Sequence, residues 1–165
     1  MKRPCIIILH GWGLSGKTFL PLARELKKRN YTVFVPDLPG FGMSAIPKQP
    51  LHLADYAVFL DAYIKKNNIR NPILIGHSFG GRVSLKYNEM YPKSVRALIL
   101  TGTPGFTPIP KKKLLLFIAL AKIGKLLFSI PPLHLFQDAV RRWYYYVVGA
   151  KEFFRAEGTM RDTFK

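Results

Sequence analysis

The chain contains little cysteine and few acidic side chains. Cys5 is the only cysteine among 165 residues, which excludes a disulfide framework and a cysteine-based metal site. Nine Asp and Glu residues stand against 26 Lys and Arg residues, for a net charge of +17. Such a charge favours anionic surfaces. However, the sequence carries no zinc-finger or RNA-binding signature, so we expect no specific nucleic-acid partner.

Long hydrophobic runs are also absent. Only about five apolar residues precede His10, whereas a secretory signal needs about 7–15. The longest apolar run, from Leu114 to Ile130, contains Lys122 and Lys125 and is shorter than the ~20 residues that span a bilayer. We therefore expect a cytoplasmic protein. Because the lysines of this segment fall on one narrow helical face and most other residues are apolar, weak association with an anionic membrane surface is a further expectation.

Four short, continuous apolar runs predict strands that are buried on both faces of a parallel sheet. These predicted strands are Cys5–Leu9, Thr32–Val35, Ile73–Ile75 and Val95–Leu100. Helical periodicity occupies the segments between them, namely Thr18–Arg29, Leu53–Asn67 and Gly80–Tyr91. This alternation predicts an α/β fold, a parallel sheet flanked by helices with right-handed crossovers.

A proline-rich segment, residues 101–113, ends the α/β pattern. The remainder has the periodicity of helices, predicted at Lys111–Phe128, Leu135–Gly149 and Lys151–Arg161. We therefore predict a sheet domain over residues 1–108 and an all-helical cap or lid over residues 109–165.

The stretch from Leu9 to Thr18 matches two motifs with different chemistry. Gly11-x-x-x-x-Gly16-Lys17-Thr18 fits the phosphate-binding loop of nucleotide hydrolases. The same stretch contains His10-Gly11-Trp12-Gly13, which fits the oxyanion-hole loop of an acyl hydrolase. Both motifs require a preceding strand, and Asp37 would suit the magnesium site of the first. A P-loop nucleotide hydrolase therefore remains an alternative, although no base-recognition motif follows.

A second motif, Gly76-His77-Ser78-Phe79-Gly80-Gly81, favours the hydrolase. It lies between a predicted strand and a predicted helix, which is the context of a nucleophile elbow. The serine must occupy a sharp turn there, and side chains two residues on either side would collide. Gly76 and Gly80 meet that steric requirement.

Three segments, "HGWG", "DLPGFGMS" and "GHSFGGRVSL", together resemble the α/β-hydrolase superfamily, in its capped branch with a serine nucleophile. The resemblance covers residues 5–105 in order and spacing. It implies that Ser78 attacks a carbonyl carbon, that the backbone N–H groups of Trp12 and Phe79 form the oxyanion hole, and that no metal or other cofactor takes part. The remaining motif residues are expected to be structural: His10, Gly11, Gly13, Asp37, Gly40, Gly76, His77, Gly80 and Gly81.

The resemblance also implies a catalytic acid and a histidine after the nucleophile. Neither is found at the expected places, since His134 lies in the predicted cap without a strand before it. We therefore expect the N-terminal part of a longer serine hydrolase for small acyl substrates, such as esters or thioesters. The missing C-terminal part would be its partner, and the chain alone would be nearly inactive. A non-catalytic binding protein of the same fold is the other alternative.

Overall fold

The computed structural model describes residues 3–103 without interruption. Beyond them it describes residues 115, 119, 122–123, 133–136, 138–140, 142–143 and 160. Its contacts divide the chain into two compact units, one comprising Met1–Pro104 with Ala156–Lys165 and the other Gly105–Arg155. The division at residue 108 into a core and a cap stays a prediction.

A four-stranded parallel sheet forms the centre of the first unit. Its strands are β1 (Cys5–Leu9), β2 (Thr32–Phe34), β3 (Ile73–His77) and β4 (Ala97–Thr101). They lie in the order β2-β1-β3-β4, and every neighbouring pair is parallel. In this register Ile6 lies opposite both Val33 and Ile73. The predicted parallel sheet is confirmed, with β3 extending two residues further than predicted.

Three helices connect the strands, α1 (Leu20–Lys28), α2 (Leu53–Lys66) and α3 (Phe79–Met90). The helix predicted from Thr18 begins as a 3₁₀ turn over Gly16–Phe19, so α1 itself starts later. After α1 and α2 the chain reverses at Asn30 and Asn68, whose φ angles are +62° and +51°. Asparagine tolerates this left-handed conformation better than most residues.

Helices cover both faces of the sheet. Because successive side chains alternate in a strand, Ile6 and Ile8 pack with Ala23 of α1, whereas Ile7 and Leu9 pack with α2 and α3. Burying each of these aliphatic side chains contributes about 1.5–3 kcal/mol. The continuous apolar sequence of β1 is thus explained by burial from both sides.

Strand β4 has a neighbour on one side only among the described strands. Leu98 packs against the core beneath α2 and α3, but Ile99, on the opposite face, is 51% exposed. Strand β4 therefore presents an open apolar edge in the described part of the chain.

Most of the predicted cap helices lie outside the described residues. The described positions include a short 3₁₀ helix over Leu133–Phe136 and helical residues at 115, 119, 122–123, 138–140 and 142–143. Within the described residues, no helix is both long and apolar enough to span a bilayer.

Candidate active site

Ser78 occupies a strained turn between β3 and α3. Its φ and ψ angles are +51° and −111°, a conformation that costs a residue other than glycine about 1–3 kcal/mol. The Ser78 N–H donates to the Thr101 carbonyl of β4 (2.9 Å), and the Ser78 carbonyl accepts from Gly81 N–H (3.1 Å) and Arg82 N–H (3.3 Å). Hydrogen bonds on both sides therefore hold this turn at the carboxyl edge of the sheet.

Glycines around Ser78 permit close approach of backbone segments. A Cβ atom on Gly76 would lie 2.5 Å from Gly81 Cα, and one on Gly80 would overlap the Leu9 carbonyl of β1. A Cβ on Gly81 would overlap the Thr103 side chain. The sequence predicted the steric need at Gly76 and Gly80, while the contact with Thr103 depends on a residue distant in sequence.

The loop after β1 lies beside this turn. Because β1 pairs with β3 in parallel, both strands end at the same edge. A Cβ on Gly11 would lie 3.4 Å from Ser78 Cβ and 3.2 Å from His77 Cδ2. The loop then turns back with a Leu14 N–H bond to the Gly11 carbonyl (3.2 Å), and Gly13 has φ +71°. The pairing of β1 with β3 thus places the Gly11 loop beside Ser78.

Phe79 is the first residue of α3. The first N–H groups of a helix have no partner within it, and the helix dipole adds partial positive charge there. The Phe79 N–H group therefore lies next to Ser78 in a position suited to stabilising negative charge.

His10 is fully buried and connects two loops. Its Nδ1 lies 2.9 Å from the Gly11 carbonyl and its Nε2 accepts the Leu38 N–H at 3.0 Å. These partners require a neutral ring with the proton on Nδ1. Burial lowers the pKa of His10 below its ordinary value, which favours the same state. Both ring nitrogens are occupied, so the ring is poorly placed to accept a proton from Ser78.

Asp37 joins the loop after β2 to the loop after β1. One carboxylate oxygen accepts the Gly16 N–H (2.6 Å) and the other accepts the Met43 N–H (2.8 Å). Partial burial alone would raise the pKa of Asp37, but these N–H groups and nearby Lys17 hold it below its ordinary value. The hydrogen bond from Met43 lies within the loop after β2. The hydrogen bond from Gly16, which lies in the loop after β1, was not predicted from the sequence. Gly40 contributes a turn with φ +83°.

The Asp37 carboxylate also bears on the phosphate-loop motif. A phosphate loop holds its ligand with backbone N–H groups, but the Gly16 N–H is donated to Asp37. Lys17 and Thr18 are exposed in the 3₁₀ turn. A carboxylate inside this loop would repel a phosphate group.

An aromatic cluster lies next to the elbow. Phe79 contacts Trp12 and Tyr56 edge to face, with ring centroids 5.2 Å and 5.0 Å apart. Trp12 also contacts Phe41, at 4.9 Å. Burial raises the pKa of Tyr56 to about 12, and its hydroxyl donates to the Pro39 carbonyl (3.3 Å). The contributions of Phe41 and Tyr56 were not predicted, although Phe41 belongs to the recognised "DLPGFG" segment.

The described residues bring neither a base nor an acid to Ser78. No described side chain is hydrogen-bonded to its hydroxyl group. The His77 ring lies against Phe19 (5.8 Å between ring centroids), and His52 is exposed at the start of α2. His134 lies in the 3₁₀ helix of the other unit. In this part of the chain, no three potential ligand side chains converge to hold a metal ion.

A family model described as the alpha/beta hydrolase fold matches residues 4–158. The chain belongs to this family. Both the resemblance given by the sequence motifs and the predicted fold class are thereby confirmed.

Individual relatives match less of the chain. A pimeloyl-[acyl-carrier protein] methyl ester esterase of Shewanella oneidensis is 36% identical over 64% of this chain and 37% of its own length. The structure is similar to an N-acyl homoserine lactonase (TM-score 0.59, 26% identity, 68% of this chain and 46% of the other). It is also similar to a membrane phospholipase A (TM-score 0.61, 30% identity, 66% and 35%). The chain spans about a third of the length of the relatives that it matches by sequence.

Gly80→Ala should destabilise the first unit strongly. The new methyl group would overlap the backbone of β1, which cannot move without disturbing the sheet, so we expect a loss of about 3 kcal/mol. Gly102→Ala is the matched control, because its nearest neighbour would lie 3.4 Å away. Its φ of +57° should by itself cost the alanine variant only about 1–2 kcal/mol. Urea unfolding measures both, and equal losses would contradict the close approach.

Stability should also fall as the pH drops below the ordinary histidine pKa of about 6.5. His10 has a lowered pKa in the folded state, so its protonation favours unfolding. The stabilisation that neutral His10 gives the folded state is complete only above the ordinary pKa of the unfolded state. The slope should approach at most about 1.4 kcal/mol per pH unit for this group. In the parent chain and in the exposed control His52→Gln, the urea midpoint measured below pH ~6.5 should be lower than the midpoint measured above it. The two midpoints should differ less in His10→Leu. If the dependence of stability on pH is unchanged in that variant, His10 is not its cause.

Proposed function

We propose that this chain forms the nucleophile and oxyanion-hole part of a serine hydrolase that acts through an acyl-enzyme. The observation that carries the proposal is the strained turn at Ser78 (φ +51°), placed beside the Gly11 loop. Strain of this kind persists where the surrounding structure enforces it, and it concentrates at functional sites. Membership of the α/β-hydrolase fold family supports the same conclusion.

In the proposed reaction, Ser78 Oγ attacks the carbonyl carbon of the substrate as its proton passes to a general base. The carbonyl oxygen then carries negative charge, which the backbone N–H groups of Phe79 and Trp12 stabilise. One such donor is typically worth about 3–4 kcal/mol in the transition state. The positions of these residues support the two donors, because Phe79 lies at the start of α3 and Trp12 directly follows Gly11. Breakdown of the tetrahedral intermediate expels the alcohol or thiol and leaves an acyl-serine, which water then hydrolyses.

The base and its acid are proposed to come from a C-terminal part of the same fold. His10 is an unsuitable base because its ring is buried, neutral and bonded at both nitrogens. The relatives matched by sequence are about three times as long as the matched segment, and β4 has an unpaired edge among the described strands. Without the base, we expect the chain to be nearly inactive, with slow turnover from the oxyanion hole alone.

The proposed substrate is a small molecule with an activated acyl bond, an ester or thioester. The names of the relatives refer to a methyl ester esterase, a lactonase and a phospholipase. The aromatic rings of Trp12, Phe41 and Phe79 beside Ser78 offer apolar surface to an acyl chain. Acyl transfer through a serine needs no metal or redox cofactor, so none is proposed.

Ser78 should be the residue that a fluorophosphonate modifies. We would incubate the chain with the probe and with imidazole, which can replace an absent histidine base, and map the adduct by mass spectrometry. Labelling should be lost in Ser78→Ala and retained in Ser15→Ala, a serine at the same edge whose side chain makes no cap bond. A label on another serine, or no label at Ser78, would favour a non-catalytic binding protein of the same fold.

We also propose a cytoplasmic location, with weak association of the second unit with anionic membrane surfaces. Large apolar side chains are exposed there, including Leu135 (70%), Phe136 (59%) and Trp143 (65%), and the chain carries a net charge of +17. Exposed apolar and cationic residues together favour binding at the lipid headgroup boundary.

The association should appear as co-sedimentation with phosphatidylserine vesicles that weakens as salt screens the charges. Replacing Leu135 and Trp143 by serine should reduce it several-fold, because about 0.8 kcal/mol is lost for each methylene-sized group withdrawn from lipid. Ile99→Ser, an exposed apolar position of the first unit, is the control. Equal losses in both variants, or sedimentation independent of salt, would contradict this proposal.

A further inference from the structure

A second concave surface lies at the amino edge of the sheet, opposite the edge that carries Ser78. It encloses about 1010 Å³, close to the upper end of the ~300–1000 Å³ typical of small-ligand pockets. The residues lining this amino-edge groove are basic or neutral, and none is acidic. They are Arg3, Pro4, Cys5, Asn30, Thr32, Asn68, Arg70, Asn71 and Arg96.

The strand register brings the three arginines of the groove together. Ile6 of β1 pairs with Ile73 of β3, and Arg3 and Arg70 each lie three residues before these partners. Arg96 directly precedes Ala97, which pairs with Ile73 from the other side. Its backbone is fixed by a bond from the Arg96 N–H to the Pro72 carbonyl (2.8 Å). The entry to each of three neighbouring strands therefore carries one guanidinium group.

These guanidinium groups are not neutralised by the described part of the chain. Its three ion pairs join Lys28 to Glu25, Lys65 to Asp61 and Lys86 to Glu89, so no described carboxylate pairs with an arginine of the groove. Arg3 instead lies over the Tyr31 ring, 5.0 Å from its centroid. Stacking on an aromatic face orders a guanidinium group while leaving its in-plane N–H donors available.

The charge balance at this edge is positive even when the backbone is included. Helices α1, α2 and α3 all end at this edge, and each contributes about half a negative elementary charge from its terminal carbonyl groups. The three arginines outweigh that sum. Lys27 and Lys66 in the last turns of α1 and α2 add further positive charge, whereas Lys28 and Lys65 are paired with Glu25 and Asp61. An anion entering the groove therefore meets a net positive field.

We propose that the amino-edge groove binds a small ligand carrying two or more phosphate groups. A planar guanidinium group can bind a phosphate group through two parallel hydrogen bonds. Three guanidinium groups on separate strands therefore suit a ligand with several phosphate groups better than a ligand with a single carboxylate group. The side-chain amides of Asn30, Asn68 and Asn71 supply neutral donors beside them. The limited volume of the groove favours a compact ligand over a nucleic-acid duplex, which needs an extended basic surface.

The test uses inorganic tripolyphosphate as the probe and isothermal titration calorimetry on the full chain. Binding should be saturable, and replacing Arg3, Arg70 and Arg96 together by glutamine should weaken it at least tenfold, because charge-assisted hydrogen bonds are lost with the charges. The control variant replaces Lys17, Arg24 and Arg82 by glutamine. These three cations are exposed and lie outside the groove, so net charge falls equally while the groove is kept. Circular dichroism checks folding, and Arg70→Gln alone serves if the triple variant does not fold.

The result that overturns the proposal is an equal loss of affinity in both triple variants, since that would show a non-specific charge effect. Loss confined to the control variant would also overturn it, by assigning the phosphate to the Lys17 loop. Competition by phosphatidic acid vesicles would identify a lipid headgroup as the phosphate source, and its absence a free phosphorylated ligand. Tighter binding of a DNA duplex that also depends on the groove arginines would replace the small-ligand site with a nucleic-acid site.

Discussion

The arrangement of the first unit depends on the close parallel pairing of β1 with β3. This pairing is possible at the carboxyl edge only because Gly80 lets α3 begin against the Leu9 carbonyl. A side chain at this position would separate the helix from the strand. The same arrangement brings the Gly11 loop so near Ser78 that a Cβ atom on Gly11 would lie 3.4 Å from Ser78 Cβ. The close contact between Gly80 and the Leu9 carbonyl thus places the proposed nucleophile beside the loop that is proposed to stabilise the tetrahedral intermediate.

A second constraint keeps the two loops at this edge in place. His10 bonds to Leu38 and Asp37 bonds to Gly16, so each loop holds the other by one side chain. The two groups have opposite ionisation requirements, since burial favours neutral His10 whereas backbone N–H groups favour ionised Asp37. Both requirements are met near neutral pH. The loops are therefore ordered by local hydrogen bonds without any ligand, which would reduce the free-energy cost of organising the proposed oxyanion hole.

The sequence predicted those features that depend on short-range patterns. The run Cys5–Leu9 is a buried strand because its residues are apolar without alternation, and Gly76 and Gly80 were assigned from the steric demands of an elbow. What it could not predict depends on distant residues. The bond between Asp37 and Gly16 and the contact between Gly81 and Thr103 arise only once the sheet has formed. The phosphate-loop match was ambiguous for the same reason, because only the fold shows which group occupies the Gly16 N–H.

The two proposed sites, one at each edge of the sheet, would stabilise anions by different physical means. At the carboxyl edge the donors are backbone N–H groups at the start of α3, whose partial charges are fixed in position and suited to a charge that appears transiently. At the amino edge the strands begin with arginine side chains, whose full charges suit a ligand that is already ionised. Helix dipoles reinforce the first site and oppose the second. At the amino edge a permanent anion is therefore favoured only where side-chain charges outweigh the helix ends. On this argument the proposed phosphate site requires several arginines, whereas the proposed oxyanion hole requires none.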